Sequence, residues 1–344
     1  MFHEALVLEY TRSRAFLDPL GLPAGTELAV TPLGQGEYNV NYRFVHPRTG
    51  APLVLRINTG SQMHLDDQIA YEYAALCDLA PSGRTPRPLF CDDTRSALPY
   101  GALVMEWLPG RPLRYETDLP QAAAILADIH ALPVPQGSRL LRPDDPVGSI
   151  YEECLSMSAH YFSWDKADPA VCRLLDTMIA EIGRLVRESG APGPRCMVNT
   201  ELNSGNFLIQ AGGHSHLVDW EKPLISEPCQ DLGHFLAPTT TLWKTDTVLG
   251  PAEIGAFVRQ YEAALRGRLD ATMLRARLPV YFTVTCLRGV TWCAMALREY
   301  DRPDRPLTNA DTRRKLHQYV SPEFLEHILT RYVTRNFLRE GDMP

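Results

Sequence analysis

The spacing of apolar residues changes once along the chain. Up to Glu106 they fall in short runs bounded by turn residues, and beyond it they recur every three or four positions. Within residues 1–25, Leu6, Val7, Phe16 and Leu17 are spaced as on a short amphipathic helix that ends at Leu20-Gly21-Leu22-Pro23. Strand signals follow at Glu27–Val30, Asn41–His46 and Pro52–Asn58, the last two separated by the turn Pro47-Arg48-Thr49-Gly50. They predict a three-stranded antiparallel meander with a glycine-containing first turn. Ile69, Tyr73, Leu76 and Leu79 then share one helical face over Leu65–Leu79, with Asp66 and Asp67 in the first turn, where the helix dipole favours acids. Leu89–Cys91 and Ala102–Glu106 add two more strands.

Leu108-Pro109-Gly110-Arg111-Pro112 marks the change of period. After it, helical spacing runs through Pro120–Leu132, Ser149–Met157, Pro169–Glu188, Glu253–Leu265, Leu278–Tyr300 and Pro322–Phe337. One stretch breaks the rule. Phe207-Leu208-Ile209, the turn Gly212-Gly213 and Leu217-Val218 read as a tight hairpin. A strand-rich first third and a helical remainder make an α+β protein of two lobes, with residues 1–107 as one and 108–344 as the other. A chain of 344 residues is also longer than a single core usually supports.

Composition narrows the function classes. The 45% apolar and 22% charged residues are ordinary for a soluble globular protein, and no apolar run is expected to reach the length of a membrane span. The N-terminus lacks a signal-peptide layout, so a cytoplasmic protein without a membrane partner is expected. The eight cysteines are scattered, without a Cys-x-x-Cys pair, which points to neither a disulfide framework nor zinc. A net charge of -7 argues against a general nucleic-acid binder.

Candidate chemistry gathers at the hairpin. Asn206 precedes its first strand and Asp219 follows its second, so a tight hairpin brings an amide and a carboxylate to one place; Glu201 lies in the loop that leads in. Two carboxylates and an amide oxygen on loop positions suit Mg²⁺ shared with phosphate. Taken singly, Asn206 can cap a turn and Asp219 can end a strand. Together, and with Asp231 opening Asp231-Leu232-Gly233-His234-Phe235-Leu236, they point to a site. Gly34-Gln35-Gly36 lies where backbone amides can approach a phosphate, although a bare Gly-x-Gly can equally be a plain turn. Arg56 interrupts the apolar strand Leu53–Ile57 and needs a partner, for which Glu72 on the following helix is the candidate. The competing reading is an edge-strand arginine reaching solvent. In the functional one Arg56 holds phosphates and Glu72 orients it. His214 and His216 read as exposed turn residues and His130 as structural. Tyr161, Phe162, Trp164, Trp243 and Trp292 read either as the lining of a substrate pocket or, for most of them, as core. The acids Asp144, Asp145, Glu152, Glu153, Asp246, Glu299 and Asp301 are either solvated faces and helix starts or an attraction for a cationic amine.

These motifs, in this order, resemble the aminoglycoside phosphotransferase and choline kinase family, which has a protein-kinase-like fold: a small antiparallel-sheet N-lobe with one main helix and a larger, mostly helical C-lobe. Leu33–Gly36 resembles its nucleotide loop, Val54–Asn58 its phosphate-contacting strand and Glu72 its helix glutamate. Val104–Leu113 resembles the hinge, which implies adenine contacts around Glu106, Trp107 and Leu108. Leu217–Glu221 resembles the metal-binding Asp motif, and Asp231-Leu232 the buried pair that braces the catalytic loop. The resemblance implies ATP and Mg²⁺ as cofactors and nucleotide binding by Gly34, Gly36, Asn39, Arg56 and Glu72. It implies Mg²⁺ binding by Asn206 and Asp219, Glu201 in the catalytic aspartate's place, and a small-molecule hydroxyl acceptor. A monomer or homodimer is expected. The chemistry would be transfer of the γ-phosphoryl group, by positioning and charge stabilisation.

The family pattern His-Gly-Asp-Leu-His-x-Gly-Asn stands here as Asn199-Thr200-Glu201-Leu202-Asn203-Ser204-Gly205-Asn206. Glutamate keeps nearly the basicity of aspartate, about 4.3 against about 3.9. Its extra methylene moves the oxygens by about 1 Å or more, and an uncompensated shift of that size costs on the order of 10²-fold. Two readings therefore stay open beside a small-molecule kinase: a nucleotide-binding pseudokinase, and transfer of the nucleotide instead of the phosphoryl group.

Overall fold

A computed structural model describes residues 4–36, 38–302, 310–335 and 338. The chain begins with α1 (Glu4–Arg12) and α2 (Arg14–Leu17), then β1 (Thr31–Gln35), β2 (Asn39–Val45) and β3 (Pro52–Asn58). Next come α3 (Gln68–Leu79), β4 (Pro88–Asp92), β5 (Gly101–Glu106) and β6 (Arg111–Pro112). Three helices follow, α4 (Leu119–His130), α5 (Pro146–Phe162) and α6 (Pro169–Arg187). Four short strands come after them: β7 (Cys196–Val198), β8 (Phe207–Ile209), β9 (His216–Leu217) and β10 (Leu224–Ser226). The rest is helical: α7 (Pro228–Leu236), α8 (Pro238–Lys244), α9 (Pro251–Leu265), α10 (Leu274–Tyr300), α11 (Ala310–Tyr319) and α12 (Pro322–Ile328).

Two compact units emerge. The first draws on 1–113, 132–141 and 206–224, and the second on 114–131, 142–205 and 225–344. The first holds a five-stranded sheet in the order β1-β2-β3-β5-β4, antiparallel throughout. Its core joins Tyr10, Phe16 and Leu17 of the N-terminal helices to Phe44, Leu55 and Phe90 of the sheet. Phe16 lies 5.7 Å from both Phe44 and Phe90 by ring centroid. Each such ring contributes roughly 1.5–3 kcal/mol by leaving water. A second sheet, β6-β8-β9, joins the Leu108–Pro112 segment to the hairpin. Gly110 (φ +151°) is needed there, because a Cβ would stand 2.8 Å from the Leu208 backbone.

The second unit is built around α10, which packs on α5 and α7, while α4 packs on α9. Gly233 of α7 lets the helices close, since a Cβ would meet the Phe282 nitrogen at 2.8 Å. The expectation about apolar length needs correction. Helix α10 is long and apolar enough to cross a membrane, with a mean hydropathy of 1.4, yet 72% of that window is buried inside the protein. It is a core helix by its packing.

Other expectations shift for identifiable reasons. Residues Glu27–Val30 form no strand; the paired segment is Thr31–Gln35, exposed along its whole length and held by its ladder to β2. Apolar patterning cannot see such an edge. The N-terminal helix breaks at Ser13, whose Oγ accepts from the Phe16 nitrogen and starts a new helix. Helix α3 starts at Gln68, not Leu65, because the Ser61 hydroxyl accepts from the Met63 and Leu65 amides and keeps them in a turn. Asp66 and Asp67 thus precede the helix. α12 stops at Ile328 and passes into a π-helical turn, Leu329–Thr334, and Phe337 lies outside the described residues. The apolar spacing predicts neither α8 nor α11, and the stretch Asp231–Leu236 forms the last part of α7.

Candidate active site

In the first unit the geometry starts from β3. This strand is paired on both sides, by β2 and β5, so Arg56 is not an edge residue. Its side chain is 6% exposed, and Nε stands 3.0 Å from Glu72 Oε2 on α3, an ion pair not aligned as a hydrogen bond. Nη2 donates to Asp219 Oδ1 at 2.6 Å and reaches Glu221 Oε2 at 3.3 Å. Glu221 also accepts from the Asn39 amide, whose own oxygen accepts from Asn58 Nδ2 at 2.9 Å. One guanidinium thus serves three carboxylates, leaving a surplus of negative charge beside it. Burial works against the Arg56 charge, but Glu72, Asp219 and Glu221 outweigh it and hold the guanidinium charged. Burial pushes the Glu72 carboxyl up, with Arg56 opposing and Asp219 adding to the rise.

The hairpin forms, with its second strand at His216–Leu217, one residue earlier than the expected Leu217-Val218. Phe207 pairs with Leu217 and Leu208 with His216, and the Val218 amide donates to the Asn206 carbonyl at 2.9 Å. Asn206 and Asp219 therefore flank one end. Asp219 adopts φ +67°, a left-handed conformation uncommon outside glycine, so its side chain turns out of the strand line toward Arg56. Among the described residues no group of three or more His, Cys, Asp or Glu side chains is placed to hold a metal ion. An amide oxygen and a carboxylate nevertheless form a donor set suited to Mg²⁺, which keeps water and phosphate oxygens in its remaining positions. The nearby surplus of carboxylates fits a cation.

Gly34 and Gly36 are exposed. A Cβ at Gly34 would meet nothing within 4 Å, and Gly36 donates its N–H to the Asn39 carbonyl at 2.9 Å. Glu106 exchanges backbone and side-chain contacts with Arg87, while Trp107 lies under the Arg43 guanidinium at 4.1 Å and donates its N–H to Pro52. Leu108 follows, half-buried.

In the second unit the loop before Asn206 is fastened through its backbone. Asp231, fully buried in the first turn of α7, accepts from the Asn199 amide at 2.9 Å and the Thr200 amide at 2.7 Å. It also pairs with His130 Nε2 at 3.1 Å, and His130 Nδ1 lies 2.9 Å from the Tyr261 hydroxyl. His130 thus bridges Asp231 and Tyr261 through its two ring nitrogens. His130 is structural, as expected. Glu201 donates its amide to Asn199 Oδ1 at 3.1 Å, and Leu202 donates to His234 Nδ1 at 3.1 Å. Thr200 adopts φ +73°. The Glu201 carboxylate lies 3.6 Å from the Arg288 guanidinium.

Sequence patterning passed over two of these partners. Glu221 follows Asp219 by two residues, and that alternation was its signal. Arg288 is a basic residue within the largely apolar α10, a position that demands a counter-charge. The acids sort out singly: Asp145 caps α5 through the Gly148 amide, Asp301 pairs with Lys166 at 2.7 Å, and Glu153 pairs with Arg288 at 3.0 Å. Of the aromatic residues read as core, Tyr161 is buried and Phe162 is exposed. Trp164, Trp243 and Trp292 are half-buried, the last two packed edge-on at 5.6 Å. His214 is exposed as expected, whereas His216, in the second strand of the hairpin, is half-buried.

Comparison with known proteins supplies the context for this geometry. A sequence profile of the phosphotransferase enzyme family matches residues 29–272. No curated protein sequence is a significant match. Among solved structures, a candidate aminoglycoside phosphotransferase from Ralstonia eutropha superposes with a TM-score of 0.65 at 15% identity, over 95% of this chain and 99% of its own. Choline kinase from Cryptosporidium parvum gives 0.61 at 11% identity, over 97% and 98%. A spectinomycin phosphotransferase solved with ADP and spectinomycin gives 0.56 at 14% identity, over 92% and 93%. At such identities the likeness carries the fold, which is α+β, two-lobed and protein-kinase-like.

Proposed function

The chain belongs to the phosphotransferase enzyme family, and from that premise we propose that it moves the γ-phosphoryl group of ATP to a hydroxyl of a small molecule. The observation that carries this reading is the buried set in which Glu72 backs Arg56 and Arg56 reaches Asp219 and Glu221. A cation sunk in a central strand at such a desolvation cost has a use if it meets a polyanion. In this reading Gly34, Gly36 and Asn39 lie along the nucleotide's phosphates, with open space above Gly34 for close approach. Glu106, Trp107 and Leu108 border the adenine. Asn206 and Asp219 hold Mg²⁺, which when bound neutralises charge on the phosphate oxygens.

Glu201 takes the proton from the acceptor hydroxyl. The acceptor oxygen bonds to the γ-phosphorus as the bond to the β–γ bridging oxygen breaks, and ADP leaves. The acceptor class is an amino alcohol, a sugar-like alcohol or an aminoglycoside. The test is a panel of such alcohols incubated with ATP and Mg²⁺ and scored by product mass. One acceptor is expected to gain the mass of a phosphoryl group, and Glu201→Gln is expected to lower the rate about 10²–10⁴-fold. Nucleotide binding without acceptor-dependent turnover would turn the reading to a pseudokinase. A product carrying the nucleotide would turn it to nucleotidyl transfer.

A further inference from the structure

The backbone of the loop around Glu201 is fastened by Asp231, Asn199 and His234, and those bonds act on the main chain, not on the glutamate side chain. What stands at the end of the side chain is Arg288. Its side chain is 13% exposed, with Nε 3.0 Å from Glu153 Oε2 of α5 and Nη2 3.6 Å from Glu201 Oε1. Burial works against the Arg288 charge, and Glu153 and Glu201 together outweigh it. The arrangement is a rigid planar fork held by one carboxylate and presented to another. A side chain at position 201 shorter by one carbon–carbon bond would withdraw its oxygens by about 1.5 Å and lose that contact. The length of Glu201 and the place of Arg288 on α10 are matched to each other.

We infer that Arg288 is a positioning residue which, braced by Glu153, holds the Glu201 carboxylate in a single orientation for the acceptor hydroxyl. The inference rests on the proposed role of Glu201 and adds that the glutamate works because an arginine fixes it. Arg288→Met is expected to lower kcat about 10²-fold with little change in KM for ATP, since a misplaced base costs the chemical step. Arg288→Lys keeps the charge and is expected to recover part of that loss. Glu201→Asp is expected to fall by a similar factor. The double variant Arg288→Met/Glu201→Asp should fall no further than the worse single one, because both remove the same contact.

Arg288→Met/Glu153→Gln, which leaves no uncompensated carboxylate at position 153, serves to check that losses are not those of misfolding; it is expected to unfold at the wild-type urea midpoint and to keep the low kcat. Crystal structures give a readout independent of turnover, with one Glu201 conformer in the wild type and several in Arg288→Met. The inference is overturned if folded Arg288→Met keeps wild-type kcat while Glu201→Gln loses it, if the two losses multiply, or if Glu201 stays in one conformer without Arg288. If the wild type shows no turnover with any acceptor, the proposed function falls, and the Glu201 conformers still decide the inference.

Discussion

Thr200 and Asp219 are the two residues at which the local backbone rule is broken beside the candidate chemistry, with φ +73° and +67°. A left-handed conformation costs an L-residue roughly 1–2 kcal/mol, and a β-branched threonine is a poor occupant. Thr200 stays there because its amide and that of Asn199 are both taken by Asp231. Replacing it by glycine removes the strain at some entropic cost. Thr200→Gly is therefore expected to raise stability by up to ~1 kcal/mol, read as a higher urea midpoint at unchanged slope. A lower midpoint would show that the threonine side chain contributes more than the strain it carries. Thr200 directly precedes Glu201, so turnover should be measured on the same variant.

At the scale of elements, two buried carboxylates tie loops to helices. Asp231 joins α7 to the Asn199–Thr200 backbone and, through His130, to α4. Asp231→Ala would strand two backbone donors and a histidine in the interior. A loss of about 3–5 kcal/mol in urea unfolding is expected, against less than 1 kcal/mol for an exposed acid such as Asp246. Glu227 ties the loop before β7 to α10, accepting from Arg277 at 2.8 and 2.7 Å, from Tyr281 at 2.6 Å and from the Gly193 amide at 2.8 Å. Burial works to raise its carboxyl, but those donors outweigh it and hold it below its ordinary value. On acidification the unfolded chain thus binds this proton first. The stabilisation is complete above pH ~4.3 and is lost as the pH falls through the folded value. Glu227→Gln should be less stable at neutral pH and show a shallower decline below pH ~4.3 in a pH series of urea midpoints. A parallel decline in the variant would rule this out.

For the whole molecule, the groups proposed to meet the nucleotide and the loop of Glu201 fall in different compact units, so nucleotide binding and the proposed chemistry can be tested separately. ATP with Mg²⁺ at 100 times its Kd is expected to stabilise by about 2.7 kcal/mol and raise the thermal midpoint by several degrees. Glu201→Gln should keep that rise. Arg56→Lys should show a smaller one, since a point charge replaces a fork that Glu72 aims. Equal rises in all three proteins would remove Arg56 from nucleotide binding.

The sequence by itself determined the α+β class, the hairpin and most helices, because each is written in local periodicity. It also named Glu72 as the candidate partner of Arg56, since a charge inside an apolar strand demands one, but left open an edge arginine reaching solvent, which the pairing of β3 on both sides excludes. It could not place β1, an exposed edge strand defined by hydrogen bonds to β2, or the start of α3, set by one serine hydroxyl. Nor could it supply Glu221 for Arg56 or Arg288 for Glu201, partners 165 and 87 residues away, because nothing local records which distant side chain meets a buried charge. That choice belongs to the packing of helices and strands, and only the tertiary structure makes it.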